Sequence, residues 1–270
     1  MIIDDPKIKD VIKQPKKYSK MWRYLDLPKF ISLLHENLFF VQSCKLPDKF
    51  EGSWSKTDKG LDKYLKELKQ YTCISCWQKN KSESALMWEV YPRSDNGIAI
   101  QSTFNRLRQS VEGEKRDLYA GEVHYTNDIL ETKPKFTMEP FFRKRIYFKD
   151  DHEIRVIYQE MDKGIPHGST IDCVKNGTYI NVDLNKLIQN IYISPKAEKW
   201  FPDLVKSIVD KYELDKKVIK SPLGDLSEDF EDEDTSEGIK ADVDFRRWAL
   251  STDSSGNISE NNTVTTQKHK

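Results

Sequence analysis

Three groups of side chains in this sequence have types and spacings suited to chemistry. Asp151, Glu153 and Arg155 lead into Glu153-Ile154-Arg155-Val156-Ile157-Tyr158, whose β-branched and aromatic composition predicts a strand. Side chains two apart on a strand face the same side, so two carboxylates and a guanidinium are expected on one face. Such a triad is either a catalytic cluster or a self-satisfied ion network. Glu153 can accept a hydrogen bond from a hydroxyl and stabilise a developing positive charge. Arg23 can fork onto phosphate or ribose oxygens, or pair with Glu51 or another acid. Tyr24, Trp88 and Tyr91 can stack on an aromatic ring. Trp88 and Tyr91 are three apart in Ser82–Tyr91, which suits a helix capped by Ser82 or Ser84, and so share one face. Burial in the core is the plainer role for Trp77, Trp88 and Tyr91.

Other groupings carry less. Cys73-Ile74-Ser75-Cys76 has the spacing of a metal knuckle, but no second pair or His-x-x-x-His accompanies it, so free buried thiols and no bound metal are expected. His35, His124, His152 and His167 stand alone. A nucleophile elbow, a phosphate-cradling glycine loop and a His-Glu-x-x-His helix are all missing, which disfavours serine hydrolases, P-loop enzymes and zincins. Forty-four basic residues balance 44 acidic ones, so no overall field draws the chain to nucleic acid. Local patches do exist: Arg143-Lys144-Arg145, read as a solvated helix face, and the lysines of residues 1–20. They are the expected route for any nucleic-acid contact. No apolar run is long enough to span a bilayer, and the start lacks the order of a secretory signal, so no membrane association and a cytoplasmic location are expected. The four cysteines are too few for a disulfide framework.

The elements that must position these groups follow from periodicity. A helix is predicted from Pro28 to His35, a buried strand at Asn37–Val41, and a surface helix from Lys59 to Gln70. Strands are predicted at Tyr71–Trp77, Gly97–Ile100, Gly121–Tyr125, Tyr179–Leu184, Ile188–Ser194 and Val218–Ser221, with helices at Asn105–Val111, Phe141–Arg145 and Lys196–Tyr212. No regular βαβ repeat emerges, so the expected fold is α+β, a mixed and largely antiparallel sheet with packed helices in a single domain. Residues 1–20 read as a basic N-terminal arm, 21–223 as the domain, and 224–270 as an acidic and polar disordered tail interrupted by Phe245-Arg246-Arg247-Trp248.

Four segments, in order, resemble the signature of the domain-of-unknown-function family 2971. They are Trp22-Arg23-Tyr24 with the turn Asp48-Lys49-Phe50-Glu51; Ser75-Cys76-Trp77 running into Ser84–Tyr91 and Gly97–Ile100; Phe141–Lys144 with Asp151–Arg155; and Ile191–Pro195, ending in Ser221. Two departures stand out. Pro47 precedes Asp48 where the family has a proline after the acid, and Asp151 stands where the family often has Glu. The order of features, an early Arg, central aromatics and a late acid on a strand, is also similar to the mono-ADP-ribosyltransferase superfamily. That likeness implies NAD as cosubstrate, with Arg23, Tyr24, Trp88 and Tyr91 binding it. It also implies Glu153, assisted by Asp151 and Arg155, as the catalytic centre, and a macromolecular acceptor such as a prokaryotic defence effector would modify. Two other readings stay open: a noncatalytic module binding nucleic acid or protein, and a metal-dependent nuclease using Asp48, Glu51, Asp151 and Glu153.

Overall fold

The computed structural model describes residues 1–53, 59–127, 134–160 and 176–224. Cys173, His167, residues 225–270 of the tail and its Phe245-Arg246-Arg247-Trp248 segment lie outside the described residues. Among the described residues nine strands form one sheet and two more pair separately, a mixed and largely antiparallel α+β arrangement as the sequence predicts.

The chain opens with a single turn, α1 (Pro6–Lys9), capped by the Asp5 carboxylate. β1 (Lys20–Leu25) then leads into α2 (Leu27–Glu36), whose first turn is fixed by Asp26 accepting from the Lys29 N–H at 2.9 Å. Pro28 falls in that first turn, where a missing N–H leaves nothing unpaired, and Phe30, Leu33 and Leu34 turn to the core. Asn37, with φ 83°, ends the helix and starts β2 (Leu38–Gln42). Next come α3 (Lys59–Tyr71), β3 (Thr72–Lys79) and α4 (Ala85–Val90), the last capped by Ser84. The middle of the chain supplies β4 (Ile98–Thr103), α5 (Phe104–Ser110), β5 (Leu118–Glu122), β6 (His124–Thr126), β7 (Arg143–Arg145) and β8 (Glu153–Gln159). It finishes with β9 (Gly177–Ile180), α6 (Leu184–Leu187), β10 (Asn190–Ile193), α7 (Phe201–Lys211) and β11 (Val218–Lys220).

Sheet order along the main path is β11-β10-β4-β1-β3-β2-β9, with β8 and then β5 attached through β3. One consequence shapes the whole molecule. β8 pairs with β3 continuously from Thr72↔Gln159 to Gln78↔Glu153 and so occupies one entire edge of β3. β1 and β2 must therefore share the other edge. β1 holds one end, Met21↔Lys79 and Trp22↔Gln78, while β2 holds the opposite end, Val41↔Ile74 and Gln42↔Cys73. Between them Ser75, Cys76 and Trp77 have no strand on that edge. The sheet forks there, with β1 and β2 as the two arms.

Alternation along the strands sorts side chains to two faces. The larger core takes Met21 and Leu25 from β1, Cys73 and Trp77 from β3, and the apolar sides of α2, α5 and α7. The opposite face carries two smaller clusters: Leu65, Leu68, Ile74, Phe141 and Ile157 under α3, and Trp22, Tyr24, Met87, Trp88 and Ala99 under α4. Cys73 and Cys76 are three apart on a strand and so point to opposite faces, which their spacing alone did not reveal. Cys44 and Cys76 are free thiols.

Two local expectations are corrected. The N-terminal arm keeps its lysines exposed, but its backbone is docked. Ile2 bridges to Leu118, the Met1 ammonium donates to the carbonyls of Glu114 and Arg116 at 2.9 and 2.8 Å, and Ile2, Ile12 and Pro15 are buried. Sparse apolar residues suffice because each fills a specific site. Phe141–Arg145 is not a helix: Glu139–Phe142 form a 3-10 turn and Arg143–Arg145 form β7, parallel to β6. Arg143 and Lys144 are buried rather than solvated, because Glu139 and the acids flanking β8 meet their charges.

Candidate functional site

The fork opens onto a cavity of about 540 Å³, within the size range of small-molecule sites. Its wall contains Arg23, Tyr24 and Tyr91 at one part and Glu51, Asp151, Glu153, Lys144 and Arg155 at another. Six of the seven sequence-predicted site residues thus meet in one place. The seventh, Trp88, does not line this cavity. It is buried behind it, edge-on to Tyr24 at 4.9 Å between ring centroids, with its indole N–H donated to Glu83 at 2.8 Å. On a two-turn helix only one face reaches the sheet, and Trp88 is large enough to fill that contact itself.

Arg23 occupies the crotch of the fork. With strand pairing interrupted there, its guanidinium donates to Ser75 Oγ at 2.5 Å and to the Phe39 carbonyl at 3.0 Å, joining β1 to β3 and β2. Trp77 lies under it, 5.8 Å from ring centroid to guanidinium carbon. Among the described residues no acid pairs with it, contrary to the Glu51 pairing weighed from sequence. Burial without a counter-charge pulls Arg23 down to about 10. A half-buried cation in this state still lacks its best partner, an anion.

Across the cavity the charges are heavily paired. Arg155, fully buried, donates to Glu51, to Glu153 at 2.9 and 3.3 Å, and to the Phe141 carbonyl at 2.6 Å. Lys144 bridges Glu153 at 3.1 Å and Asp151 at 2.7 Å, with Glu51 at 3.9 Å. Three carboxylates face two cations, so the cluster carries one excess negative charge. The sequence expectation that Asp151, Glu153 and Arg155 share a strand face needs amendment. Glu153 and Arg155 do, but Asp151 ends a 3-10 turn, and His152 (φ 44°) bends the chain so that both acids reach Lys144.

Burial raises both Glu51 and Glu153, with opposite outcomes. For Glu153 the charges of Arg155 and Lys144 outweigh burial and hold the carboxyl at about 2. For Glu51 burial prevails, aided by the neighbouring Glu153, and its carboxyl lies above the usual range. The two close carboxylates are thereby pushed apart, Glu153 downward and Glu51 upward. Burial and nearby Glu153 push the Cys76 thiol far up, so it is no thiolate nucleophile, and Tyr91 is likewise kept as a hydroxyl by burial and the two acids.

Two residues named from sequence in other roles, Glu51 and Lys144, and one not singled out, Gln78, complete the site. Glu51 is seated by the turn Asp48–Gly52, where Gly52 (φ 68°) is required because a Cβ would lie 2.4 Å from the Phe141 ring. Lys144 had been assigned to solvent. Gln78, opposite Glu153 in the β3–β8 register, lines the cavity 7% exposed, and its Oε1 has no hydrogen-bond partner among the described residues. A strand glutamine gives no sequence signal of this kind. The four acids of the nuclease reading are all engaged by cations, Asp48 by Arg145 at 3.0 Å. Among the described residues no group of three His, Cys, Asp or Glu is placed to hold a metal, and no helix is long and apolar enough to cross a membrane.

No family model, curated protein or solved structure matches the chain.

Proposed function

We propose that the fork cavity binds NAD⁺ and that the chain transfers ADP-ribose from it to a macromolecular acceptor. The observation carrying this reading is the polarity of the cavity: a guanidinium, Arg23, that no acid pairs among the described residues, in the same wall as a carboxylate cluster of three acids and two cations. NAD⁺ has the complementary pattern, an anionic diphosphate joined through ribose to a cationic nicotinamide ring. Arg23 holds the diphosphate. Tyr24 and Tyr91 border the space for the ring, and the Tyr91 hydroxyl, kept protonated, donates to the ligand.

In the reaction the bond from the ribose anomeric carbon to the nicotinamide nitrogen breaks, its electron pair leaving on the nitrogen and neutralising the ring. A nucleophilic atom of the acceptor then bonds to that carbon and gives up its proton. Positive charge builds on the ribose between the two events, and Glu153, held ionised, stabilises it electrostatically. Arg155 and Lys144 fix Glu153 in place, a positioning role rather than the contact role inferred for Arg155 from sequence. The four segments resembling family 2971 supply most of this wall, which supports the site but not its chemistry.

Nicotinamide release from NAD⁺ by the purified chain, with lysate as acceptor, tests the proposal. Release is expected, and Glu153→Gln, checked by near-ultraviolet circular dichroism for a native fold, is expected to lose it. NAD⁺ binding without release, in both proteins, would remove the transfer step and leave a noncatalytic nucleotide-binding cavity. The saturation of Glu153 by its two cations is the observation favouring that second reading.

A further inference from the structure

Gln78 sits in a row that strand register fixes across three strands. Its partner on β1 is Trp22, and its partner on β8 is Glu153. Directly opposite residues of an antiparallel pair point to the same face, one strand spacing of about 4.8 Å apart. All three line the main cavity, in the order ring, amide, carboxylate.

The neighbours of this amide are already committed. The Trp22 indole N–H is donated to the Asn80 carbonyl at 3.1 Å, and the Tyr24 hydroxyl accepts the Ser84 N–H at 2.8 Å. Glu153 is held by Arg155 and Lys144 and, as a carboxylate, has no proton to offer. Gln78 Oε1 therefore has no partner among the described residues, in a side chain more than nine-tenths buried. A buried acceptor in that state is unfavourable, and an N–H brought by a ligand relieves it. A half-turn about the last side-chain bond exchanges Oε1 and Nε2, so the amide can offer its oxygen to the cavity without moving the strand.

Resting on the NAD⁺ reading of the main cavity, we infer that Gln78 reads the nicotinamide carboxamide, its Oε1 accepting the carboxamide N–H, and so selects the amide form of the cosubstrate. On that reading Glu153 faces the ribose. The nicotinamide ring is bonded to the anomeric carbon of that ribose, so it extends along the same row, beside Gln78 and against Trp22. The carboxamide is the group on that ring with an N–H to give. A carboxylate in its place would set oxygen against oxygen at Gln78 and bring a further negative charge to Glu153. A site built to accept a ligand N–H rejects the analogue without one, because its own buried oxygen is then left unpaired.

Calorimetric titration of the full chain with NAD⁺, its nicotinic acid counterpart and its 3-acetylpyridine counterpart tests this. The acetyl compound keeps the charge and the carbonyl of NAD⁺ and lacks the N–H. Wild type is expected to bind NAD⁺ at least about fivefold more tightly than the acetyl compound, the low end for leaving a buried acceptor unpaired, and to bind the acid most weakly. Gln78→Met, which keeps the side-chain length, should bring NAD⁺ and the acetyl compound within about twofold of each other, and Gln78→Leu should do the same. A merely structural role would move all three affinities together and leave their ratios as in wild type, which overturns the inference. So does a wild type that binds NAD⁺ and the acetyl compound equally, or one that prefers the acid because the amide turns its N–H to the ligand. In each of these cases NAD⁺ still binds and the main-cavity reading stands. Failure of all three compounds to bind at millimolar concentration would overturn both.

Discussion

Arg23 and Arg155 are both arginines on central strands of one sheet, yet truncating them should have different effects. Replacing Arg23 by Met removes a cation whose shift from 12.5 to about 10 places its burial penalty at up to about 3 kcal/mol at 1.36 kcal/mol per pKa unit. That is an upper bound, because the guanidinium reaches a cavity open to water. The same change deletes two charge-assisted hydrogen bonds, at 2.5 and 3.0 Å, each worth roughly 1.5–3 kcal/mol. At the lower end of that range, roughly 3 kcal/mol for the two bonds together, gain and loss nearly offset, and the methionine stem replaces the lost packing on Trp77. Arg23→Met is therefore expected to shift unfolding stability by less than about 2 kcal/mol in urea titration. NAD⁺ affinity, followed by calorimetry, should fall about 30-fold, which corresponds to roughly 2 kcal/mol. A stability loss of more than about 3 kcal/mol would make Arg23 a strut of the fork and sink the argument. So would an affinity unchanged within about threefold, since an anion site cannot lose, without consequence, the one lining cation that no acid pairs among the described residues.

Three further outcomes are expected. Arg155→Met should destabilise by roughly 3–5 kcal/mol in the same urea assay, because Glu51 and Glu153 are left buried with one cation fewer; a loss under about 1 kcal/mol would contradict the network. On the acid side, the Glu153 carboxyl is lowered to about 2 from an ordinary 4.5, so the unfolded chain takes up that proton first. The stability it contributes is present above about pH 4.5 and drains away toward pH 2, up to roughly 3 kcal/mol. Glu114 titrates in the same window, held at about 2 by Arg116, so the comparison must be wild type against Glu153→Gln, which should have the shallower acid limb. Glu51, raised instead of lowered, works in the opposite sense: its contribution is lost as pH rises above 4.5. Gln78→Leu should raise the melting temperature, since it removes a buried carbonyl oxygen without a partner, while weakening NAD⁺ binding several-fold. A lower melting temperature with unchanged binding would show that the oxygen is satisfied within the protein.

Much of the framework was legible in local pattern. Alternation and β-branched composition located β2, β3, β4, β8 and β10, because those strands carry their own apolar faces. Pro28 located α2 and a serine cap located α4, because each acts within one turn of itself. The types Arg23, Glu153 and Tyr91 were recognisable because forked cations, carboxylates and aromatics have few uses that go unmarked in a sequence.

What the sequence could not contain were facts about edges and faces. Charge density made Arg143–Arg145 look like a solvated helix, and only the parallel pairing with β6 and the acids around β8 make a buried strand of it. Asp151 joined the cluster through a left-handed bend at His152 rather than through strand alternation. Glu51 entered from a turn about a hundred residues away in sequence, since a buried guanidinium recruits whichever acid the fold brings near. The amino-acid sequence by itself determined which residues can bear charge, stack or cap. The tertiary structure alone decided that β1 and β2 divide one edge of β3, and this opening is what seats Arg23 in the cavity wall with no acid partner among the described residues.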